Sequence, residues 1–138
     1  DPAEMEKRNI HLQKKYAEIE ENEVRFEELH CEDAEYLIVA FGSCARIAQK
    51  AMEMAREEGI KVGLLRPITL WPFPSKAIAA RAAQVKGILT VELNAGQMVE
   101  DVRLAVECKV PVEHFGRLGG IVPDPDEVIT ALKEKLIK

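Results

Sequence analysis

From residue 36 onward, apolar runs alternate with amphipathic stretches. The clearest run, Tyr36 to Phe41, is continuously apolar, which predicts a strand buried on both faces. We expect further strands at Lys61–Arg66, Ile88–Leu93 and Val112–Phe115, each followed by a stretch with helical periodicity. Strands that alternate with helices of about 10 to 15 residues indicate βαβ units and a mostly parallel sheet. The predicted fold class is therefore α/β.

The helices between these strands can be placed by their start signals. The pattern predicts helices at about residues 44–58 and 75–85, and a third that starts at Asn94, where the side chain can act as a cap. The run Asp124-Pro125-Asp126-Glu127 places a capping Asp, a Pro and an acidic third residue in the order typical of a helix start. We expect the last helix to follow it.

Residues 1–22 have a different character, with many charges and a thin apolar stripe. The run Asp1-Pro2-Ala3-Glu4 is also typical of a helix start, and Leu12, Tyr16 and Ile19 share one face of the expected helix. A stripe this thin cannot hold a helix alone in water. The helix must therefore pack on the rest of the chain or on another chain, and the sequence leaves both open.

Apolar and charged residues alternate in Val24 to Leu29, which is typical of an edge strand. We therefore expect two parts: an N-terminal helical arm at residues 1–23 and an α/β domain at residues 24–138. The absence of an initiator Met leads us to expect a piece of a longer polypeptide.

Composition limits the possible partners. The net charge is −5 and the Lys and Arg residues are scattered, so no basic stripe suits a nucleic acid. No apolar stretch approaches the roughly 18 residues of a membrane span. Cys31, Cys44 and Cys108 are odd in number and far apart, which favours a reducing compartment over a disulfide framework. We expect a cytoplasmic protein with neither a nucleic-acid nor a membrane partner.

Chemistry in an open α/β sheet is sought at the carboxyl ends of its strands. The residues expected there include Ser43, Arg66, Glu92 and Arg117. Ser43 follows a single glycine, not the three of a dinucleotide fingerprint, and we favour a helix cap over an anion ligand. An ion pair between Glu92 and one of the two arginines is favoured over an anion site. One carboxylate without a second acid, a His or a metal is no acid–base system.

The remaining reactive side chains also favour structural roles. His11, His30 and His114 do not recur with the cysteines at metal-ligand spacing, and His114 alternates within a short strand. Cys44 lies at a helix start, where a thiolate would be favoured, but the motif supplies no base. We therefore expect no catalytic, cofactor-binding or metal-ligating residue in this chain.

The loop Pro67 to Pro74 carries the strongest signal for a surface. It holds Trp71, the only tryptophan, with Phe73 between prolines that stiffen the loop. A rigid aromatic loop at a sheet end suits an interface. Trp71 could equally cover the local core. The glycine-rich stretch 116–123 suggests that its backbone closely approaches another group.

Three segments taken together resemble the C-terminal domain of the α subunit of 2-oxoacid:ferredoxin oxidoreductases. They are Leu65–Pro74 (LRPITLWPFP), Thr90–Met98 (TVELNAGQM) and Phe115–Gly120 (FGRLGG), supported by the Gly42-Ser43 turn. Each segment alone would be weak, but the combination is specific. The chain most resembles the branched-chain type, 2-oxoisovalerate:ferredoxin oxidoreductase.

The resemblance implies a three-layer sandwich of the transketolase C-terminal-domain type. Its five-stranded sheet is mostly parallel with one antiparallel edge strand, which would be residues 24–29. The resemblance also implies an enzyme that converts 2-oxoacids and CoA to acyl-CoA and CO2. Such enzymes use thiamine diphosphate with Mg and iron–sulfur clusters, and they pass the electrons to ferredoxin.

In this family other domains and subunits hold the cofactors, and the chain has neither a C-x-x-C run nor the G-D-G motif of the thiamine diphosphate fold. The expected partners are the preceding thiamine-pyrimidine-binding domain, the other oxidoreductase subunits and, indirectly, ferredoxin. The isolated chain is expected to be inactive and to serve assembly. The resemblance yields these interface candidates: Arg66, Trp71, Phe73, Glu92, Asn94, Gln97, Met98, Arg117, Gly119 and Gly120.

Two rival functions follow from the residues alone. One is a free-standing, flavodoxin-like ligand-binding domain, although the phosphate loop of a flavin or nucleotide module is missing. The other is a scaffold that dimerises through its N-terminal helix, which the thin apolar stripe permits.

Overall fold

The computed structural model describes residues 1–137. Five strands form one sheet: β1 (Phe26–Leu29), β2 (Tyr36–Ala40), β3 (Val62–Pro67), β4 (Gly87–Glu92) and β5 (Val112–Gly116). The helices of the described residues are α1 (Pro2–Asn22), α2 (Gly42–Glu57), α3 (Ser75–Ala82), α4 (Met98–Val106) and α5 (Pro125–Lys135).

The strand order is β1-β3-β2-β4-β5, with β1 antiparallel to β3 and the other neighbours parallel. This confirms the predicted α/β class and the antiparallel edge strand. The edge strand begins at Phe26, two residues later than the charge pattern suggested. The carboxyl ends of the four parallel strands lie at one edge of the sheet, where α2 and α4 begin.

An apolar core lies on each face of the sheet and packs it against helices, so the domain has three layers. Along β2, Leu37 and Val39 point to one face while Ile38 and Ala40 point to the other, as the period of a strand requires. The first pair packs with α3 and α4, and the second pair packs with α2 and α5. All four side chains are buried, as the continuous apolar run predicted.

Of the four helix caps predicted from the sequence, two are present and two were wrong. Asp1 accepts a hydrogen bond from the Ala3 N–H, and Asp124 forms a full capping box with Glu127. Ser43 does not cap α2, because the helix already begins at Gly42 and the capping position falls to Phe41. Asn94 does not cap α4, which begins at Met98.

Helix α1 is present as predicted, but no residue of it is fully buried. Leu12 and Ile19 are half-buried, and the rings of Tyr16 and Trp71 form a T-shaped pair with 5.8 Å between their centroids. The C-terminal part of α1 therefore lies on its own chain, while Met5 and Ile10 in the N-terminal half are exposed.

Candidate functional site

Large apolar side chains are exposed on the loops that follow the carboxyl ends of three parallel strands. We call this set the apolar belt; its members are Ile68, Leu70 and Trp71 after β3, Leu93 after β4, and Leu118, Ile121 and Val122 after β5. Each is between 47% and 58% exposed. Exposed apolar side chains gathered at one edge of a fold mark an interaction surface more often than scattered ones do.

The loop after β3 is held rigidly. The backbone N–H groups of Ile68 and Thr69 donate to the Arg25 carbonyl at 2.9 and 3.1 Å. The Thr69 hydroxyl accepts from the Arg25 N–H at 3.0 Å and donates to the Pro72 carbonyl at 2.7 Å. The loop therefore presents its exposed side chains from a fixed backbone.

The two aromatic side chains of this loop have different environments. Phe73 is half-buried and packs against the core beneath α3 and α4. Trp71 is 55% exposed and contacts Tyr16 of the arm. The sequence left open whether the loop forms an interface or covers the local core. Phe73 covers the core, whereas Trp71 faces outward.

The loop after β4 is organised by Glu92, whose side chain is fully buried. Its carboxylate accepts hydrogen bonds from the backbone N–H groups of Gln97, Met98 and Val99 at 3.3, 2.8 and 3.2 Å. The side-chain amide of Asn94 adds a fourth donor at 3.3 Å. The first N–H groups of a helix lack partners within the helix, so Glu92 caps α4 from the preceding strand.

His114 on β5 is bonded into the same loop. Its Nε2 lies 3.1 Å from the Asn94 carbonyl, and its Nδ1 lies 3.0 Å from the Thr90 hydroxyl and 3.4 Å from Oε2 of Glu92. Because a carbonyl only accepts, Nε2 carries the proton in this bond. Both ring nitrogens of His114 thus have hydrogen-bond partners, as predicted.

The predicted ion pair between Glu92 and an arginine is wrong. Arg66 pairs with Glu27 on β1 at 3.2 Å, and Arg117 pairs with Glu127 on α5. The carboxylate of Glu92 instead accepts hydrogen bonds from the backbone N–H groups at the start of α4. These groups lie inside the fold, where neither guanidinium reaches. Both arginines at this edge are thus neutralised by other carboxylates.

The buried cysteines have no activated thiolate. Cys44 lies in the first turn of α2, but burial raises the pKa of its thiol and the nearby Glu92 raises this pKa further. The expectation that the helix start favours a thiolate is therefore wrong. Burial also raises the pKa of the Cys31 thiol to about 11, with Glu28 adding to the shift. Cys108 is exposed.

The other interface candidates fall into three groups by burial. Trp71, Gln97, Gly119 and Gly120 are exposed; Arg66, Phe73, Asn94 and Arg117 are half-buried; Glu92 and Met98 are buried. Glu92 and Met98 support the edge from inside the fold. The close approach expected of the glycine-rich stretch occurs within the chain at Gly116, where an added Cβ would lie 2.1 Å from the Asn94 carbonyl oxygen.

Six of the seven belt residues were not singled out from the sequence. Five of these six stand in loops outside any predicted helix or strand, and Leu93 was predicted to end a strand, so the pattern did not show that they are exposed. Among residues 1–137 no group of three or more His, Cys, Asp or Glu side chains could hold a metal ion. No helix in that part of the chain is long and apolar enough to span a membrane.

The profile of the family described as pyruvate:ferredoxin oxidoreductase core domain II matches residues 34–128. The chain belongs to this family. The ketoisovalerate oxidoreductase subunit VorB of Methanothermobacter marburgensis is 47% identical over 131 residues, which cover 95% of this chain and 37% of that subunit. The 2-oxoglutarate synthase subunit KorA of Methanothermobacter thermautotrophicus is 35% identical over 73% of this chain and 27% of its own length.

Solved structures agree with this assignment. The 2-oxoglutarate:ferredoxin oxidoreductase of Magnetococcus marinus, determined with 2-oxoglutarate, coenzyme A and succinyl-CoA bound, matches with a TM-score of 0.70 and 28% identity. The match covers 80% of this chain and 19% of that one. A split-gene transketolase matches with a TM-score of 0.71 at 22% identity over 82% of this chain and 41% of that one, which shows a common fold.

The comparisons confirm both the resemblance and the fold type predicted from the sequence. This core domain II chain is domain-sized, and it spans about 37% of the length of the ketoisovalerate relatives it matches. The relatives named here are a subunit of ketoisovalerate oxidoreductase and a subunit of 2-oxoglutarate synthase.

Proposed function

We propose that this chain is the non-catalytic assembly domain of a thiamine-diphosphate-dependent 2-oxoisovalerate:ferredoxin oxidoreductase. The whole enzyme converts the 2-oxoacid and CoA to acyl-CoA, CO2 and reduced ferredoxin. The branched-chain substrate is supported by 47% and 49% identity to two ketoisovalerate relatives, against 31% to 35% for the 2-oxoglutarate relatives. In this proposal residues 1–23 are a connecting arm and residues 24–138 are the assembly domain.

The observation that carries the proposal is the apolar belt. Its seven large side chains are about half exposed, and covering them would contribute roughly 25 cal/mol for each Å² of apolar surface removed from water. The edge arginines Arg66 and Arg117 are already paired within the chain. The belt therefore offers an apolar protein contact instead of a site for an anionic substrate.

The residues of this chain do not fit a thiamine diphosphate site. A diphosphate-bound Mg²⁺ needs free oxygen ligands, usually including a carboxylate. The buried carboxylate at the carboxyl edge, Glu92, uses both oxygens to hold Gln97, Met98 and Val99. In the proposed enzyme thiamine diphosphate, Mg and the iron–sulfur clusters are held by other domains and subunits.

The apolar belt then contacts one of these other domains or subunits. We assign it to the preceding thiamine-pyrimidine-binding domain or to another oxidoreductase subunit, with ferredoxin a further and indirect partner in the cytoplasm. The free-standing flavodoxin-like alternative has no support in the family match, because the relatives are parts of larger oxidoreductases.

Reconstitution tests the proposal. The purified chain is mixed with thiamine diphosphate, Mg²⁺, CoA, 2-oxoisovalerate and a viologen dye, with and without the remaining polypeptides of the enzyme. We expect no dye reduction by the chain alone or by the remaining polypeptides alone, and reduction when both are present. Reduction by the chain alone would show a catalytic site within it. Full activity without the chain would show that assembly does not need it.

A further inference from the structure

The loop after β3 has few backbone donors with which to hold its own shape. Three of the eight residues from Pro67 to Pro74 are prolines, which have no backbone N–H. The N–H groups of Ile68 and Thr69 both donate to the Arg25 carbonyl. Among residues 1–137, the hydrogen bond that holds residues 70–72 comes from the Thr69 side chain.

The Thr69 hydroxyl both accepts and donates. Its Oγ1 accepts from the Arg25 N–H at 3.0 Å. The hydroxyl has a single proton, and the Pro72 carbonyl oxygen at 2.7 Å lies closer to it than the Arg25 carbonyl oxygen at 3.4 Å. The hydroxyl therefore joins the residue that leads into β1 to the far end of the loop.

The bond from Thr69 to Pro72 encloses Leu70 and Trp71. Both belong to the apolar belt, and they are 47% and 55% exposed. A turn of this length is commonly closed by the N–H of its fourth residue, but Pro72 has none. The Thr69 hydroxyl closes the turn instead, so the direction in which Leu70 and Trp71 leave the loop depends on it.

Tyr16 of the arm is the other group that holds Trp71, through the T-shaped contact of their rings. Tyr16 belongs to α1, in which no residue is fully buried. The Thr69 hydroxyl instead bonds to the backbone of Arg25, which directly precedes β1 of the sheet. The sheet is the firmer support, so the hydroxyl is the stronger of the two restraints on this loop.

We propose that Thr69 is a positioning residue of the apolar belt, whose hydroxyl fixes the direction of Leu70 and Trp71. The inference rests on the proposed function, in which the belt binds another domain or subunit of the enzyme. Without the hydroxyl the loop samples other arrangements, and only the fraction of chains in the fitted arrangement binds the partner. The apparent dissociation constant rises as that fraction falls.

Trp71 is the single tryptophan, so its spectroscopic signals report on this loop in the free 138-residue chain. Thr69→Val replaces the hydroxyl by a methyl group of similar size, and Thr69→Ser keeps the hydroxyl. We expect Thr69→Val to weaken the indole band of the near-ultraviolet circular dichroism and to speed the loss of fluorescence polarisation. Thr69→Ser should leave both signals unchanged. Unchanged signals in Thr69→Val would overturn the proposal, and loss of the signals in Tyr16→Ser alone would assign the positioning to the arm instead.

Binding to the remaining polypeptides of the enzyme measures the consequence for assembly. Thr69→Val should bind about fivefold more weakly than the natural chain, the factor typical of one lost hydrogen bond. Thr69→Ser should bind as well as the natural chain. The matched control is Thr130→Val, at an exposed threonine of α5, which should also bind normally. Far-ultraviolet circular dichroism and urea unfolding check that each variant is folded.

Failure of this inference and failure of the proposed function give different results. If W71S/L118S, which lacks two belt side chains, binds like the natural chain, the belt is not the assembly surface. The Trp71 signals of Thr69→Val then still decide whether the hydroxyl positions the loop. If W71S/L118S binds weakly but Thr69→Val binds like the natural chain, the belt stands and the positioning role of Thr69 is wrong.

Discussion

The carboxylate of Glu92 accepts a 2.8 Å hydrogen bond from the backbone N–H of Met98, the first residue of α4. The two residues are joined by the loop that presents Leu93 at the carboxyl edge. A strand-end side chain thus caps the next helix from inside the fold. This arrangement fixes the loop and leaves the Leu93 side chain 47% exposed.

We expect Glu92→Gln to lower the free energy of unfolding by about 3 kcal/mol, because hydrogen bonds to a charged group contribute about 1.5–3 kcal/mol each and the new amide would point a donor at N–H donors. Urea unfolding measures the change. The control is Glu100→Gln, an exposed acid in the first turn of the same helix, which should change stability by less than about 0.5 kcal/mol. Equal effects of the two substitutions would contradict the capping role.

The close approach at Gly116 leads to a second prediction. A Cβ at this position would lie 2.1 Å from the Asn94 carbonyl oxygen and 2.8 Å from Nε2 of His114. We expect Gly116→Ala to destabilise the chain by about 2–4 kcal/mol, because backbone atoms must move to admit the methyl group. Thermal unfolding compares it with Glu113→Ala on the same strand. A stability loss no larger than that of the control would show that the loop yields easily.

The Cys31 thiol predicts a pH dependence of stability. Its pKa is raised by burial from 9.0 to about 11, so the folded state favours the neutral thiol. This contribution is complete below pH 9 and is lost as the pH rises toward 11, by about 2 kcal/mol. Unfolding of the natural chain and of Cys31→Ala is compared between pH 8 and pH 11, with Cys108→Ala as the exposed control. We expect the free energy of unfolding to fall less with pH in Cys31→Ala than in the natural chain. In Cys108→Ala it should fall as much as in the natural chain.

The sequence predicted those parts of the fold that depend on local patterns. The apolar run at residues 36–41 and the capping box at Asp124 involve neighbouring residues, and the structure contains both. The caps of α2 and α4 were mispredicted because the decisive group lies elsewhere. Ser43 falls inside its helix, and Asn94 loses the role to Glu92, which is near α4 only after β4 and α4 have packed.

The apolar belt was predicted only in part, because it too depends on the folded chain. Trp71 stood out because it is the single tryptophan in a proline-rich loop, and it is exposed at the carboxyl edge. Leu93, Leu118 and Ile121 did not stand out, because an isolated apolar residue in a loop looks the same whether it is buried or exposed. The parallel direction of the strands brings their loops to one edge, as the predicted sheet implies, but periodicity does not show which loop side chains are exposed there.

The most direct test of the central claim is to measure how the remaining polypeptides of the enzyme bind this chain and two variants of it. The variant W71S/L118S removes two members of the belt, and Leu104→Ser removes a 76% exposed leucine on α4 outside the belt. The account predicts that W71S/L118S binds at least tenfold more weakly than the natural chain while Leu104→Ser binds equally well. Unchanged binding of the correctly folded W71S/L118S variant would contradict the belt as the assembly surface.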